Sequence, residues 1–281
     1  KKDKMIIWLA SYPKSGNTLL RSILGTYLFS KDGNLKFDYL YKIEQFPLIK
    51  QFEKLNIDIK DDKKIFENFI NAQSLINEDK KIRFFKTHSS LVSINNCNFT
   101  DTKNSLGAIY IVRDPRNVVT SLCHHYNINI DEAINTMINP SKWLFRADAT
   151  CKTFLGSWSV NYNSWKNMGD KVLTIKYEDL VTRKKSTLIK IFKFIQKLGV
   201  KDFEINMIKL NKIIKTSDFN MMQDLEKKID FKEAELDEET KKRKPFFKYG
   251  PKNDWRKLLK REYSSKIEET FKKEMTELGY L

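Results

Sequence analysis

A loop between a short apolar run and a helical pattern has the residue types of an anion-binding site. Residues 11–18 read Ser-Tyr-Pro-Lys-Ser-Gly-Asn-Thr, so a turn containing Gly16 leads directly into a helix start. Such a turn gathers backbone N–H groups and a helix N-terminus around one point, which favours phosphate or sulfate. Lys14 adds a positive charge that suits the bridging oxygen of a leaving phosphate. Further side-chain donors come from Ser15, Asn17 and Thr18. An ordinary strand-to-helix turn is the alternative for this loop alone.

A second candidate anion site follows another apolar run. Residues 106–112 predict a strand, and Arg113 stands at its end, where open α/β sheets bind ligands. Asp114 and Pro115 are typical of an N-cap followed by a first-turn proline. Ser121 then falls about two turns later, on the inner side of the helix. Arg113 and Ser121 together indicate a site for a second phosphate, which the guanidinium binds through two oxygens. A capped helix with a salt bridge is the alternative.

His88 is the candidate general base. It follows residues 82–86, a third apolar run that predicts a strand, and Lys86 ends that run. Imidazole is the side chain best suited to accept a proton near neutral pH. A lone histidine is more often structural, but one on the strand edge shared with two anion loops is placed for catalysis.

The elements that position these residues alternate between strands and helices. Buried parallel strands are predicted over residues 5–10, 82–86, 106–112 and 172–177. A helix follows the first strand, since apolar side chains recur at helical spacing over residues 19–28. This order predicts a single α/β domain over residues 1–281: a three-layer, P-loop-like fold with a central parallel sheet flanked by helices.

Three further segments are assigned from their patterns. Residues 31–80 are charged and are predicted to be mostly helical, as an insertion beside the sheet. Residues 140–167 are rich in tryptophan and are predicted to form one long buried helix. Residues 254–278 are predicted to be helical.

Composition narrows the class of protein. The chain has 52 Lys and Arg against 36 Asp and Glu, and its net charge of +16 suits a polyanionic partner. Lysine is scattered along the sequence, however, which a general compositional bias explains.

Three cysteines without paired spacing favour a reducing compartment and a cytoplasmic location. Together with the three histidines, they do not have the spacing of a standard zinc cluster. The apolar run at residues 5–10 is too short for a signal peptide, and no run reaches the roughly 20 residues that span a bilayer.

Taken together, the three segments resemble the soluble, cytosolic-type sulfotransferases that use 3′-phosphoadenosine 5′-phosphosulfate (PAPS). Residues 12–18 are similar to their 5′-phosphosulfate loop, and residues 86–88 to the segment that holds their catalytic histidine. Residues 113–121 are similar to their 3′-phosphate motif, with the same eight-residue offset. Further similarities lie at residues 177–180, 216–219, 246–250 and 254–256. The match runs in order over nearly the whole chain, and the segments between the motifs look more like bacterial members than animal ones.

The resemblance implies a donor site and a mechanism. PAPS is the donor, adenosine 3′,5′-bisphosphate (PAP) is the product, and no metal is required. His88 removes the acceptor proton, Lys14 stabilises charge on the bridging oxygen, and Lys86 lies near the sulfuryl oxygens. Ser121 holds Lys14 back until the acceptor binds. The residues implied to contact the nucleotide are Lys14, Ser15, Gly16, Asn17, Thr18, Leu19, Arg113, Ser121, Tyr177, Ser217, Phe219, Phe247, Lys248, Tyr249 and Gly250.

A few positions depart from the family's pattern. Leu19 stands where a tryptophan usually stacks on adenine, which forfeits an aromatic contact of ~0.5–1.5 kcal/mol. Lys248 and Tyr249 stand where Arg-Lys is usual, so one bidentate phosphate contact is lost. Asp218 is an extra residue in the segment that flanks the base.

The sequence also has features of two functions other than sulfuryl transfer. A P-loop-type small-molecule kinase shares the strand–loop–helix site, but it needs Gly-Lys-Ser/Thr at the end of its loop, whereas here Lys14 precedes Ser-Gly. A polyanion- or nucleic-acid-binding protein needs clustered cations with exposed aromatics, which only residues 241–248 resemble. We therefore predict no nucleic-acid partner and no membrane span.

The acceptor is left open by these residues. A small molecule, a glycan or a lipid with a hydroxyl or amine all fit, and the chain is compatible with a monomer or a homodimer. His124 and His125 are predicted at a helix end or on the surface, with one of them facing the acceptor pocket as the alternative. The tryptophans predicted to pack in the core, with an acceptor site as the alternative, are Trp143, Trp158 and Trp165.

Overall fold

A computed structural model of the protein describes residues 5–145, 149–200, 203–236 and 241–281. Within these residues the strands are β1 (Ile6–Ala10), β2 (Arg83–Thr87), β3 (Ser93–Ile94), β4 (Cys97–Asn98), β5 (Ser105–Val112), β6 (Trp143–Leu144), β7 (Thr153–Phe154) and β8 (Val172–Lys176). The central sheet has the order β2-β1-β5-β8, and all of its strand pairs are parallel. The predicted sheet is confirmed.

Helices follow the strands and cover the sheet. They are α1 (Asn17–Phe29), α2 (Phe37–Tyr41), α3 (Asp62–Glu67), α4 (Phe69–Ile76), α5 (Pro115–Tyr126), α6 (Ile130–Ile138), α7 (Trp158–Lys166), α8 (Tyr177–Thr182), α9 (Lys184–Lys197), α10 (Met207–Thr216), α11 (Phe219–Glu226), α12 (Trp255–Leu258), α13 (Arg261–Thr270) and α14 (Lys272–Glu277). The Asp114 side chain accepts a hydrogen bond from the Arg116 N–H, so the predicted cap of α5 is confirmed.

Both faces of the sheet are buried, as the continuous apolar strands predict. Because successive side chains of a strand point to opposite faces, β1 contributes to two separate cores. Ile6 and Trp8 pack on one side, whereas Ile7 and Leu9 pack with α1 and α9 on the other. The Trp8 ring nitrogen donates to Ser105 Oγ at 2.7 Å, which satisfies its buried N–H. Helices on both faces give the predicted three-layer α/β fold.

Residues 140–167 do not form one long helix, and this prediction is wrong. The strands β6 and β7 pair antiparallel within this segment, and α7 begins only after Ser157, which caps it. Gly156 has φ +67°, a left-handed conformation that a helix interior excludes. The tryptophan-rich pattern comes from core packing, since Trp158 and Trp165 are fully buried.

The charged segment 31–80 is helical only in short pieces. It contains α2, α3 and α4, with single helical turns before α3 and after α4. It adds Phe46, Phe52 and Phe69 to the core around Trp8. The predicted helix over residues 254–278 is present, but it is broken into α12, α13 and α14.

Candidate active site

The predicted site residues meet at one edge of the sheet. In a parallel sheet the carboxyl ends of all strands lie together, and Ala10 of β1 is opposite Thr87 of β2 and Tyr110 of β5. A cavity of about 1070 Å³ opens at this edge. The predicted site residues that line it are Lys14, Gly16, Asn17, Thr18, Leu19, Lys86, His88, Arg113, Ser121, Tyr177, Ser217, Phe219, Phe247, Lys248, Tyr249 and Gly250. Ser15 lies just beneath this surface and is fully buried.

The loop between β1 and α1 presents unpaired donors. No side chain caps the N-terminus of α1, and its first residues line the cavity, so the positive end of the helix lies at the cavity. Asn17 holds the loop on the strand by donating to the Leu9 carbonyl at 2.9 Å and to Ser11 Oγ at 3.1 Å. Ser15 Oγ is buried and has no hydrogen-bond partner among the described residues. A buried hydroxyl without a partner is costly, and an anion in the loop would satisfy it.

Gly16 is required by a close approach rather than by flexibility. Its φ is +103°, and a Cβ atom there would lie 2.4 Å from the Tyr177 ring. The first loop therefore packs directly on the residue that follows β8, so the ends of non-adjacent strands form one surface.

Arg113 joins three parts of the site. Its guanidinium donates to the Lys14 carbonyl at 3.1 Å and to the Gly250 carbonyl at 3.5 Å, and it stacks 4.3 Å from the centre of the Tyr177 ring. Its Nε is buried and has no hydrogen-bond partner among the described residues. Its charge acts on the buried Glu178 carboxyl, but no carboxylate among the described residues forms an ion pair with it within 4.0 Å, so it is able to bind a phosphate.

Lys14 is buried against an aromatic ring, and its pKa is lowered. Its Nζ lies 3.9 Å from the centre of the Phe246 ring, a cation–π contact. Burial, assisted by the charges of Arg113 and Lys86, lowers the pKa of Lys14 to about 7. Ser121 lines the same cavity, but no hydrogen bond joins it to Lys14 in the part of the chain that the structure describes.

His88 is fixed in one tautomer. Its Nδ1 lies 2.7 Å from the Ser11 carbonyl oxygen, which only accepts hydrogen bonds, so the neutral ring carries its proton on Nδ1. Burial, together with the charge of Lys86, lowers the pKa of His88 to about 3, against the opposing effect of the Ser11 contact. The ring is therefore neutral at physiological pH, with a lone pair on Nε2. His88 lines the cavity, so that lone pair is able to accept a proton there.

Glu233 is a site residue that the sequence analysis missed. Thr18 Oγ1 donates to its carboxylate at 2.6 Å, Arg21 forms a short ion pair with it, and Lys86 Nζ lies 4.0 Å away. Burial opposes ionisation of Glu233, but Lys86, Arg21 and Thr18 outweigh it and lower the pKa to about 2. Glu233 belongs to no local motif. The one available signal was Arg21, a charged residue within the apolar pattern of α1, which needs a buried partner.

The segment around Phe219 forms another wall of the cavity. The Ser217 carbonyl accepts from Lys184 Nζ at 2.8 Å, and both residues line the cavity. Asp218, the extra residue, caps α11 by accepting from the Asn220 N–H at 3.0 Å. Its neighbours Ser217 and Phe219 both line the cavity despite this insertion. The Phe219 ring packs so closely on Gly250 that a Cβ there would lie 2.0 Å away.

The two remaining histidines lie in the last turn of α5, as predicted, and both also line the cavity. His124 Nδ1 lies 3.4 Å from Lys248 Nζ, and His125 Nε2 lies 3.6 Å from a carboxylate oxygen of Glu235. Burial, together with the charge of Lys14, lowers the pKa of both histidines, so they lie close to the phosphate loop. Phe145, which also lines the cavity, is 74% exposed.

Cations predominate around the cavity. The basic residues that line it are Lys14, Lys86, Arg113, Lys184, Lys232, Lys241, Arg243 and Lys248, against the acidic Asp218, Glu233 and Glu235. This surplus creates a field that attracts a multiply charged anion. Among the described residues, no cluster of three His, Cys, Asp or Glu side chains is placed to hold a metal ion. In the same part of the chain, no helix is long and apolar enough to cross a membrane.

Comparison with known proteins identifies relatives of the chain. Residues 4–279 match the family described as Sulfotransferase domain. A 3-alpha-hydroxysteroid sulfotransferase of Cavia porcellus is 24% identical over 219 residues, and the alignment covers 77% of this chain and 65% of that relative. The chain thus spans less than two thirds of the length of this curated relative.

Two solved structures have a similar fold. A mouse sulfotransferase complexed with PAP is 19% identical, with a TM-score of 0.57, over 98% of this chain and 84% of that one. A retinol dehydratase in complex with androsterone and inactive cofactor PAP is 15% identical, with a TM-score of 0.60, over 96% and 80% of the two chains. At these identities the likeness concerns the fold.

Proposed function

The chain belongs to the sulfotransferase domain family, and from this premise we propose that it transfers a sulfuryl group from PAPS to an acceptor hydroxyl or amine. The observation that carries the proposal is the arrangement of His88 and Lys14 at one cavity. A neutral imidazole with an available Nε2 and a lysine at the phosphate loop are the base and the electrophilic group that this reaction needs.

His88 acts on the acceptor. Its Nε2 accepts the proton of the acceptor hydroxyl or amine while the acceptor atom forms a bond to sulfur. Because Nδ1 stays bonded to the Ser11 carbonyl, the imidazolium that forms is stabilised in place. The low pKa of the free ring reflects its burial beside Lys86, and the negative charge of a bound donor counteracts the effect of that lysine.

Lys14 acts on the leaving group. As the bond from sulfur to the bridging oxygen breaks, negative charge grows on the 5′-phosphate of PAP, and Lys14 with the N-terminus of α1 stabilises it. Lys86 contacts the sulfuryl oxygens. Between turnovers, Ser121 binds the Lys14 side chain and holds it away from the bridging oxygen. This contact requires Lys14 to leave the Phe246 ring.

The donor contacts are supported by orphaned groups. Ser15 Oγ and Arg113 Nε are buried without partners among the described residues. Ser15 lies between Lys14 and Gly16, which line the part of the cavity proposed for the 5′-phosphate, and Arg113 lines the part proposed for the 3′-phosphate. Tyr177 and Phe219 line the wall where the adenine binds, and Leu19 adds an aliphatic contact. The acceptor enters beside Phe145, an exposed apolar side chain of the cavity lining, and a similar structure holds androsterone, an apolar alcohol.

A thermal-shift and turnover experiment tests the proposal. We expect PAP, but not ATP with Mg²⁺, to raise the melting temperature of the protein. Incubation with PAPS and a panel of apolar alcohols, phenols, sugars and amines is then read by mass spectrometry for a sulfated product and PAP. If ATP with Mg²⁺ stabilises the protein and PAP does not, or if the product is phosphorylated, the proposal of sulfuryl transfer is wrong and the chain is a kinase.

A further inference from the structure

Glu233 occupies the place where the proposed donor needs its cations. It lies on the segment of residues 227–236 that follows α11, and it reaches back to α1 and β2. Its carboxylate is within contact of Thr18 and Lys86, two residues assigned to the phosphosulfate. Neither an acidic residue nor this segment was expected at the site.

We propose that Glu233 is an internal competitor of the donor: its carboxylate fills the anion position between Thr18 and Lys86 and leaves when PAPS or PAP binds. This inference rests on the proposed function, because that function assigns an anion to the same position. Glu233 thereby sets how tightly the donor binds, and it keeps the cations paired between turnovers.

Hydrogen-bond capacity makes the two anions exclusive. A threonine hydroxyl has one proton, so Thr18 Oγ1 donates to Glu233 or to a phosphate oxygen, but not to both. A carboxylate left in place would also repel a phosphosulfate that carries charge of the same sign. Donor binding therefore requires Glu233 to move.

Arg21 is the fixed cation that holds the Glu233 carboxylate when no donor is bound. It is 4% exposed, and its second nitrogen donates to the Ile43 carbonyl at 2.7 Å, so it is anchored independently of Glu233. Arg21 does not line the cavity, whereas Thr18 and Lys86 do. A cation behind the cavity wall thus holds the carboxylate in the donor-free state without binding the donor itself.

Isothermal titration calorimetry with PAP tests the inference on the full chain. We call the state in which Glu233 occupies the anion position the blocked state. If about nine tenths of the free molecules are in this state, removing the carboxylate charge tightens PAP binding by about tenfold. We therefore expect Glu233→Gln to lower the Kd for PAP by about that factor. The matched control is Asp224→Asn, which removes a charge from α11 just before this segment. Asp224 pairs with Lys227 at 3.1 Å on the surface and does not line the cavity, so its loss changes the Kd less than about threefold.

The outcomes separate the two proposals. If neither the wild type nor Glu233→Gln binds PAP, the proposed function fails, and the inference fails with it. If the wild type binds PAP and Glu233→Gln binds it equally or more weakly, only the inference fails. Should Glu233→Gln not fold, hydrogen–deuterium exchange of the wild type decides: PAP raises amide exchange over residues 227–236, whereas protection of that segment overturns the inference.

Discussion

Nδ1 of His88 lies 2.7 Å from the carbonyl oxygen of Ser11, and this contact ties the end of β2 to the end of β1. It also fixes the tautomer, because a carbonyl oxygen cannot donate. The neighbouring strands thus both place the imidazole and determine which of its nitrogens is available as a base.

Replacing His88 by alanine should remove catalysis while leaving the donor site intact. A positioned general base contributes about 10²–10⁴-fold to the rate, so we expect kcat to fall by that order. The Kd for PAP, measured by calorimetry, should change less than about threefold, because Asn17 still holds the phosphate loop through the Leu9 carbonyl and Ser11 Oγ when the imidazole is removed. Turnover within tenfold of the wild type would exclude His88 as the base.

Much of the fold was predictable, because buried parallel strands leave continuous apolar runs. The strand over residues 5–10 and the capped helix after Asp114 are examples in which local pattern and tertiary structure agree. The segment 140–167 was mispredicted, because core tryptophans at helical spacing also suit a hairpin followed by a helix. Its left-handed Gly156 breaks the helix, but many glycines are tolerated in helices, so the residue type alone does not show this.

That the three segments meet at one edge of the sheet was also predictable, since each lies at a strand end. The family match over residues 4–279 confirms the resemblance that the motifs indicated, and the donor contacts assigned to individual residues stay predictions. Glu233 was not predictable. Its contacts with Thr18 and Arg21 join residues more than 200 positions apart, and the segment that carries it has no periodic pattern. Such a pairing depends on how a loop folds back, which local sequence does not encode.

The pKa of Lys14 predicts how donor binding depends on pH. Burial beside Arg113 lowers this pKa to about 7, so in the free protein Lys14 loses its proton as the pH rises through 7. Binding an anion favours the charged form, and Lys14 therefore takes up a proton when PAP binds above that pH. We expect the Kd for PAP to rise by up to about tenfold per pH unit between pH 7 and 9.

Calorimetry in two buffers of different ionisation enthalpy measures the proton uptake directly. Lys14→Arg is the matched variant, since arginine keeps its charge over this range and should flatten the pH dependence. A wild-type Kd that is constant from pH 7 to 9 would contradict the lowered pKa.

Arg113 should recognise the 3′-phosphate, and a pair of ligands isolates that contact. Hydrogen bonds to charged groups contribute about 1.5–3 kcal/mol each, so Arg113→Ala should weaken PAP binding by about 10- to 100-fold. Adenosine 5′-phosphate lacks the 3′-phosphate, and its affinity should fall much less. Equal losses for both ligands would show instead that Arg113 acts by supporting the Lys14 and Gly250 carbonyls that it contacts.

The contact between Gly16 and Tyr177 makes a prediction about stability. Gly16→Ala introduces a Cβ 2.4 Å from the Tyr177 ring at a backbone φ of +103°. Gly199 is the matched control, because it has a similar φ of +95° but, among the residues that the structure describes, no atom within 4 Å of a Cβ. The left-handed conformation costs about 1–2 kcal/mol in either alanine variant, so the difference between them reports the clash alone. We expect Gly16→Ala to lower the melting temperature more than Gly199→Ala and to weaken PAP binding, whereas Gly199→Ala leaves the Kd unchanged. Equal melting temperatures would mean that the loop and Tyr177 separate at little cost, and the donor site would then be less rigid than its packing indicates.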